Sequence, residues 1–305
     1  MTGPNEQRLR LKLPATSANL GSGFDAAAVA FNRYLEIEAE PAAEFSIAAT
    51  GRDAERCSQL KDNLILEHYK RLLRDQDRPE VPLALTMENG IPLGMGLGSS
   101  AAGRLAAVAL ANRFGGLGWT SARILEEACA LEGHPDNAAA CWLGGFVIAA
   151  CTGRAVHAAR VTPPAEWRPI IVLPEEPLAT TKARNVLPPN YPRADVVANL
   201  QSVGLLGLAF AQGRADLLHV AMRDRIHQPY RAAICPLLEP LLPLAGHQGI
   251  LGVALSGAGP SVLVIAGGEA SLEPASTAIR DALQGQPEYE LLVCRFERRA
   301  ANRAS

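Results

Sequence analysis

Residues 92–102 read Pro-Leu-Gly-Met-Gly-Leu-Gly-Ser-Ser-Ala-Ala, and the fold is decided by what this stretch can be. Glycines at 94, 96 and 98 let the backbone turn tightly and approach a ligand closely. The alanine-rich run after Ser99 and Ser100 predicts a helix through Arg113, apolar nearly all round and therefore buried. Free N–H groups at a helix start carry roughly half a positive charge and attract phosphate oxygens. A serine hydroxyl there can cap the helix or ligate Mg²⁺. A P-loop requires Lys after its last glycine, where this chain has Ser99. A dinucleotide fingerprint requires G-x-G-x-x-G and an acid about 20 residues on, but the spacing here is G-x-G-x-G and 116–122 holds no acid. Spacing alone leaves two readings, a phosphate cradle or a helix-capping turn.

Around this loop, period-2 alternation predicts strands at 9–13 (ended by Pro14), 35–39 and 81–87. Helices are predicted from Asp62 through Leu73 and from Ser121 to Glu132, with a strand at 146–149. Thr162-Pro163-Pro164 punctuates the chain, which divides it into 1–163 and 164–305. Beyond that point the order is strand 170–173, helices 194–212, 215–223 and 236–245, strands 250–255 and 261–266, helix 272–283 and strand 291–296. This order predicts an α+β protein with a ferredoxin-like second half.

The 305 residues carry 29 Lys plus Arg against 31 Asp plus Glu, a net charge of −2. That balance gives no electrostatic reason to seek nucleic acid or an anionic membrane. Aromatics are only 5%, so Ala, Leu and Val must fill the core. Six cysteines without a CxxC pair argue against a disulfide framework and a zinc site. Residues 1–12 hold no apolar signal core, and the longest apolar stretch, 203–211, is too short for a bilayer. The expectation is a soluble cytoplasmic protein.

Pro92–Ala101 resembles the phosphate loop of the GHMP kinases, Pro-x-x-x-Gly-Leu-Gly-Ser-Ser-Ala, without a gap. Two further blocks follow the family's order. Pro14-Ala15-Thr16-Ser17-Ala18-Asn19-Leu20-Gly21-Ser22-Gly23-Phe24-Asp25 is similar to the first, and Ser256-Gly257-Ala258-Gly259-Pro260-Ser261 to the third. The resemblance implies a ribosomal-protein-S5-type N-terminal domain, a ferredoxin-like C-terminal domain, and ATP held by Pro92, Leu93, Gly94, Met95, Gly96, Leu97, Gly98, Ser99, Ser100, Ala101 and Ala102. Asp62-Asn63-Leu64 resembles the adenine-side segment, which implies that Asn63 contacts nucleotide.

The form of the first block, with 132–137 (Glu-Gly-His-Pro-Asp-Asn), 180–184 (Thr-Thr-Lys-Ala-Arg) and 228–231 (Gln-Pro-Tyr-Arg), resembles the homoserine-kinase branch. That likeness implies L-homoserine as phosphate acceptor, with Asn19, Asp25, His134, Asp136, Asn137, Thr180, Arg184 and Arg231 around it. Asp25, Asp136 and Arg184 take the catalytic positions, Ser100 and Glu126 hold Mg²⁺ by the family register, and a homodimer is implied. The chemistry agrees: a zwitterionic alcohol offers a carboxylate to the Arg fork and an ammonium to Asp and Asn oxygens. Asp25 and Asp136 are also the carboxylates available as a general base. A GHMP kinase for another small hydroxy acid, such as mevalonate or a shikimate-like acid, and a non-catalytic nucleotide-binding regulator stand as alternatives.

Overall fold

The computed structural model describes residues 8–304, with the side chains of Thr180 and of 302–304 outside the description. The N-terminal half builds a mixed sheet from β1 (Leu9–Asn19), β2 (Gly23–Pro41), β3 (Ser46–Gly51), β4 (Leu83–Asn89), β5 (Phe146–Thr152) and β6 (Ala155–Val161). The strand predicted to stop at Pro14 continues to Asn19, because the ladder shifts register between Pro14 and Ala15. A residue without an N–H is tolerated at such an irregularity. The predicted strand at 35–39 is the second half of the 19-residue β2, whose first half pairs β5 and whose second half pairs β4. β3 and β6 were not legible as strands: most of their side chains are exposed, so no alternating apolar face marks them.

A second, antiparallel sheet contains β7 (Arg168–Pro174), β8 (Ile250–Leu255), β9 (Val262–Ala266) and β10 (Tyr289–Val293), in the order β10-β7-β9-β8. Helices link β7 to β8, a tight turn links β8 to β9, and the helix Leu272–Ala282 links β9 to β10. This is the β-α-β-β-α-β ferredoxin-like arrangement expected from the sequence. The helix predicted over 236–245 is instead a short helix, Leu238–Leu241, followed by the 3₁₀ turn Leu242–Leu244.

The two sheets divide close to residue 163, but 164–305 is not one continuous unit. After β10 the chain returns to the first sheet: Phe296 bridges Phe31, and β11 (Asn302–Ala304) pairs β1. The return is held by apolar packing and by paired backbone bonds, Gly145 N–H to the Glu297 carbonyl and Glu297 N–H to the Ala30 carbonyl.

The helix Ser99–Phe114 lies in the core, buried almost continuously from Ala101 to Ala111. Its small residues permit close packing: a Cβ on Gly103 would stand 2.7 Å from Leu64 Cδ2 of the neighbouring helix Leu64–Asp75. The helix Arg193–Gln212 is long and apolar enough to cross a membrane by length and composition, which the shorter run at 203–211 had not suggested. Its inner residues Leu206, Ala209 and Phe210 belong to the protein core, while Val196, Val197, Leu200 and Leu208 are exposed.

Phe210 ties the parts together. Its ring stacks on Phe146 at 4.1 Å and meets Trp167 and Phe296 edge-on. Phe210→Ala is expected to lower the unfolding free energy by about 3–5 kcal/mol, read as a lower urea midpoint with an unchanged slope.

Candidate functional site

A cavity of about 540 Å³ opens where the glycine loop, the β1–β2 turn and the β8–β9 turn meet. Three buried contacts assemble it. Thr16 N–H donates to the Leu97 carbonyl at 3.0 Å. Ser256 Oγ bonds to the Gly96 carbonyl and to Ser17 Oγ, both at 2.8 Å. Gly257 N–H donates to the Ala18 carbonyl at 3.0 Å. Two glycines are sterically required. A Cβ on Gly96 would fall 2.2 Å from the Ser256 carbonyl oxygen, and one on Gly98 would fall 1.9 Å from Thr16 Oγ1. Both have φ near +75°, a conformation that suits glycine.

The first intrahelical bond of Ser99–Phe114 runs from Ala102 N–H to the Gly98 carbonyl, and no side chain caps the helix. The N–H groups of Ser99, Ser100 and Ala101 therefore precede the helical ladder, as anion binding at a helix start requires. Of the loop residues, Leu93, Gly94, Gly96, Gly98, Ser99 and Ser100 line the cavity. Pro92, Met95, Leu97, Ala101 and Ala102 are buried in its support.

Asn63 lines the cavity too, yet its side chain is committed elsewhere. Its Oδ1 accepts from Ile65 and Leu66 N–H, capping the helix, and its Nδ2 donates to the Cys57 and Gln59 carbonyls. A polar contact from this amide to nucleotide would have to break one of those bonds.

The glutamate beside Ser100 is Glu132, not Glu126. Glu132 Oε2 lies 3.4 Å from Ser100 Oγ, and the Arg104 guanidinium is in contact with both. Glu126 faces another way along the helix Ser121–Glu132 and pairs with Arg123 at 3.5 Å. The step of six positions from Glu126 to Glu132 turns the helix by about 240° and advances it about 9 Å. Glu132 is the last residue before the αL Gly133, and its place at a helix end, with no charged partner nearby in sequence, hid it.

At the other end of the cavity, Asn19 and Asp25 occupy left-handed turn positions, with φ of 70° and 52°. Asn19 Nδ2 donates to the Gly257 carbonyl at 2.8 Å and its Oδ1 accepts from Asp25 N–H at 3.0 Å. Arg184, on the helix Thr180–Asn185, grips both Asp25 oxygens at 2.9 and 3.1 Å. Thr180 opens that helix, and its side chain lies outside the described part. His134 Nδ1 is 2.5 Å from Asp136 Oδ1, which also accepts from Asn137 N–H at 2.7 Å. The side chain of Asn137 accepts from Thr16 Oγ1 at 2.7 Å. Asp136 is 1% exposed, and among the described residues its Oδ2 has no hydrogen-bond partner. Oxygens of Asp25 and Asp136 and a nitrogen of His134 lie within 4.8 Å of one another, so this corner attracts a cation.

Charge follows geometry. Burial works against protonation of His134, but its bond to Asp136 and the nearby Asp25 outweigh that and hold its pKa above the ordinary 6.5. Burial also opposes the charge on Arg184, and the Asp25 pairing overcomes it. Arg231, fully buried, is pulled below its usual range by burial and then by Arg184. The structure thus brings Asn19, Asp25, His134, Asp136, Asn137, Arg184 and Arg231 to one cavity. Sequence reasoning gave no role to Thr16 or Arg104, and among Glu126, Glu127 and Glu132 it took Glu126 by register and read Glu132 as a helix end.

Comparisons with known proteins fit this arrangement. The GHMP kinases N terminal domain family matches residues 63–145 and the GHMP kinases C terminal family residues 208–285. A homoserine kinase from Solibacter usitatus is 47% identical over 255 residues, 83% of this chain and 84% of that protein. A homoserine kinase from a Synechococcus species is 38% identical, covering 85% of each. In three dimensions the chain is similar to a homoserine kinase from Cytophaga hutchinsonii, with TM-score 0.83, 24% identity, and coverage of 100% of this chain and 99% of that one. It is also similar in fold to L. major mevalonate kinase in complex with R-mevalonate, with TM-score 0.68, 15% identity, and coverage of 98% and 99%.

The His134–Asp136 pair carries a pH signature. Because the folded His134 value is raised, the pair's stabilisation is complete below about pH 6.5 and is lost as pH rises through the folded value. The melting-temperature gap between the wild-type protein and His134→Gln is expected to be widest near pH 6 and to shrink toward pH 9, as followed by scanning calorimetry.

Proposed function

The chain belongs to the GHMP kinases, and from that membership we propose that it phosphorylates the terminal hydroxyl of L-homoserine with ATP, giving O-phospho-L-homoserine and ADP. The observation that carries the acceptor's identity is the pairing of Asp25 and the buried, half-satisfied Asp136 with Arg184 and Arg231 in one cavity. Carboxylates beside arginines suit a zwitterion, ammonium to the former and carboxylate to the latter. The relatives at 47% and 38% identity, both homoserine kinases, support the same reading.

Phosphoryl transfer has a loose transition state, so positioning and charge neutralisation supply most of the catalysis. The N–H groups of Ser99, Ser100 and Ala101 and the backbone of Gly94–Gly98 receive the phosphates. Arg231 and Arg184 hold the acceptor's carboxylate, and Asp136 and Asp25 its ammonium. Asn19 Oδ1 holds the Asp25 backbone N–H, and the Asn137 backbone N–H holds Asp136 Oδ1. These contacts turn the hydroxyl toward the loop, and orientation rather than a dedicated base is the main contribution of Asp25 and Asp136.

The Ser100 hydroxyl and the Glu132 carboxylate fit Mg²⁺. Both are oxygen donors, they stand side by side, and a cationic group, the Arg104 guanidinium, already lies against them. When bound there, Mg²⁺ neutralises charge on the phosphate oxygens.

The first experiment is ADP release with Mg²⁺-ATP against L-homoserine, D-homoserine, L-threonine, mevalonate and shikimate. Turnover confined to L-homoserine is expected, and turnover of mevalonate or shikimate alone would defeat the ammonium-site argument. Silence across the panel with nucleotide still bound would favour the regulator. Glu132→Gln is expected to lower kcat on the order of a hundredfold and raise the Mg²⁺ requirement. Glu126→Gln should stay within about twofold of wild type, and the reverse ranking would restore Glu126 as the metal ligand.

A further inference from the structure

We infer that His227 is a positioning residue for the acceptor: it locks the Arg231 guanidinium so that one nitrogen, Nη2, is left to meet the substrate carboxylate. This rests on the reading of Arg231 as a carboxylate anchor. His227 is fully buried and is not part of the sequence pattern that singled out residues 228–231.

The hydrogen bonds settle which of its nitrogens carries the proton. Nε2 is 2.9 Å from the Gly21 carbonyl oxygen, which can only accept. Nδ1 is 3.1 Å from Arg231 Nη1, which can only donate. One form of the ring satisfies both, the neutral Nε2–H tautomer, donating to Gly21 and accepting from Arg231. The ring is held for this task from two sides. Phe24 stacks on it at 5.2 Å with an interplanar angle of 23°. Asp224 Oδ2 accepts from the backbone N–H groups of His227 and Gln228 at 2.9 and 2.7 Å, fixing the start of the helix Gln228–Arg231.

Arg231 itself is 1% exposed, and the three N–H donors on Nε and Nη1, of the five a guanidinium carries, are spent. Nε donates to the Ala183 carbonyl at 3.0 Å, and Nη1 to His227 and to the Gly257 carbonyl at 3.3 Å. Phe24 covers the guanidinium face at 5.4 Å. Among the described residues Nη2 has no hydrogen-bond acceptor, and Arg231 lines the cavity. Because Gly21 belongs to the β1–β2 turn, His227 also ties the arginine's orientation to the turn that presents Asn19 and Asp25.

Two substitutions separate the two bonds. An asparagine amide reaches the place of Nδ1 and keeps an acceptor for Arg231, whereas a glutamine amide reaches the place of Nε2 and keeps only the donor to Gly21. His227→Gln is expected to raise KM for L-homoserine tenfold or more, with KM for ATP and kcat within about threefold. His227→Asn should retain a KM for L-homoserine within about threefold of wild type. Equal effects of the two variants, or an unchanged KM in His227→Gln while Arg231→Met raises it, would overturn the positioning role. An unchanged KM in Arg231→Met would overturn the anchor reading first, and the role with it. A neutron map of the wild-type protein gives a test independent of variant folding: deuterium on Nε2 alone is expected, and deuterium on Nδ1 would overturn the inference.

Discussion

The structure depends on one knot of backbone and hydroxyl groups, where Thr16 bonds to Leu97, Ser256 to Ser17 and Gly96, and Gly257 to Ala18. These residues come from the three motif blocks, and the Ser17–Ser256 bond joins positions 239 residues apart. Every polar group in the knot needs its partner, because an unsatisfied buried donor or acceptor costs about 1–3 kcal/mol. A knot that is complete only when the first sheet, the glycine loop and the second sheet are all docked makes the cavity a consequence of folding. It also explains why glycine is demanded at 96 and 98: a Cβ at either would enter the bonded atoms themselves.

Much of this was legible because each block encodes local geometry. The glycines at 94, 96 and 98 all take positive φ, and the alanine run becomes the buried helix that the composition requires. The β-α-β-β-α-β order of the second half followed from apolar runs and turn residues. What stayed hidden was contact between distant residues. Asp25 and Arg184 are 159 positions apart, and each alone reads as a turn residue or a solvated cation. Asn63 carried a motif resemblance, but its four hydrogen bonds show a helix cap and a loop clamp. The return of 296–304 to the first sheet has no periodic signal, since its content is a single phenylalanine bridge and a three-residue strand.

The choice between Glu126 and Glu132 shows why counting along a sequence fails at a helix end. A register fixes distance along the chain, but the face presented depends on angle. On the helix Ser121–Glu132 the inner turns carry Ile124, Leu125, Ala128 and Cys129 into the core. Glu126 sits beside that buried stripe within reach of Arg123, and only the final residue turns toward the start of the helix Ser99–Phe114. The packing of these two helices leaves Glu132, not Glu126, facing Ser100.

On the function proposed above, charge rather than shape is what the acceptor end discriminates. Arg184 pairs with Asp25 through two bonds, and His134 Nδ1 lies against one oxygen of Asp136. A zwitterion can enter by exchange: its carboxylate replaces Asp25 as a partner for arginine, and its ammonium replaces arginine as a partner for Asp25 and satisfies the bare Asp136 oxygen. The net charge in the cavity is unchanged. An acceptor with a carboxylate and no amine draws Arg184 away and leaves Asp25 without a cationic partner beside the His134–Asp136 pair, where an unpaired charge is costly. Discrimination against such acids therefore arises from what their binding would strand, as in other sites where a missing polar partner rejects an analogue. On the proposed reading that penalty falls on Asp25, which gives up both of its Arg184 bonds.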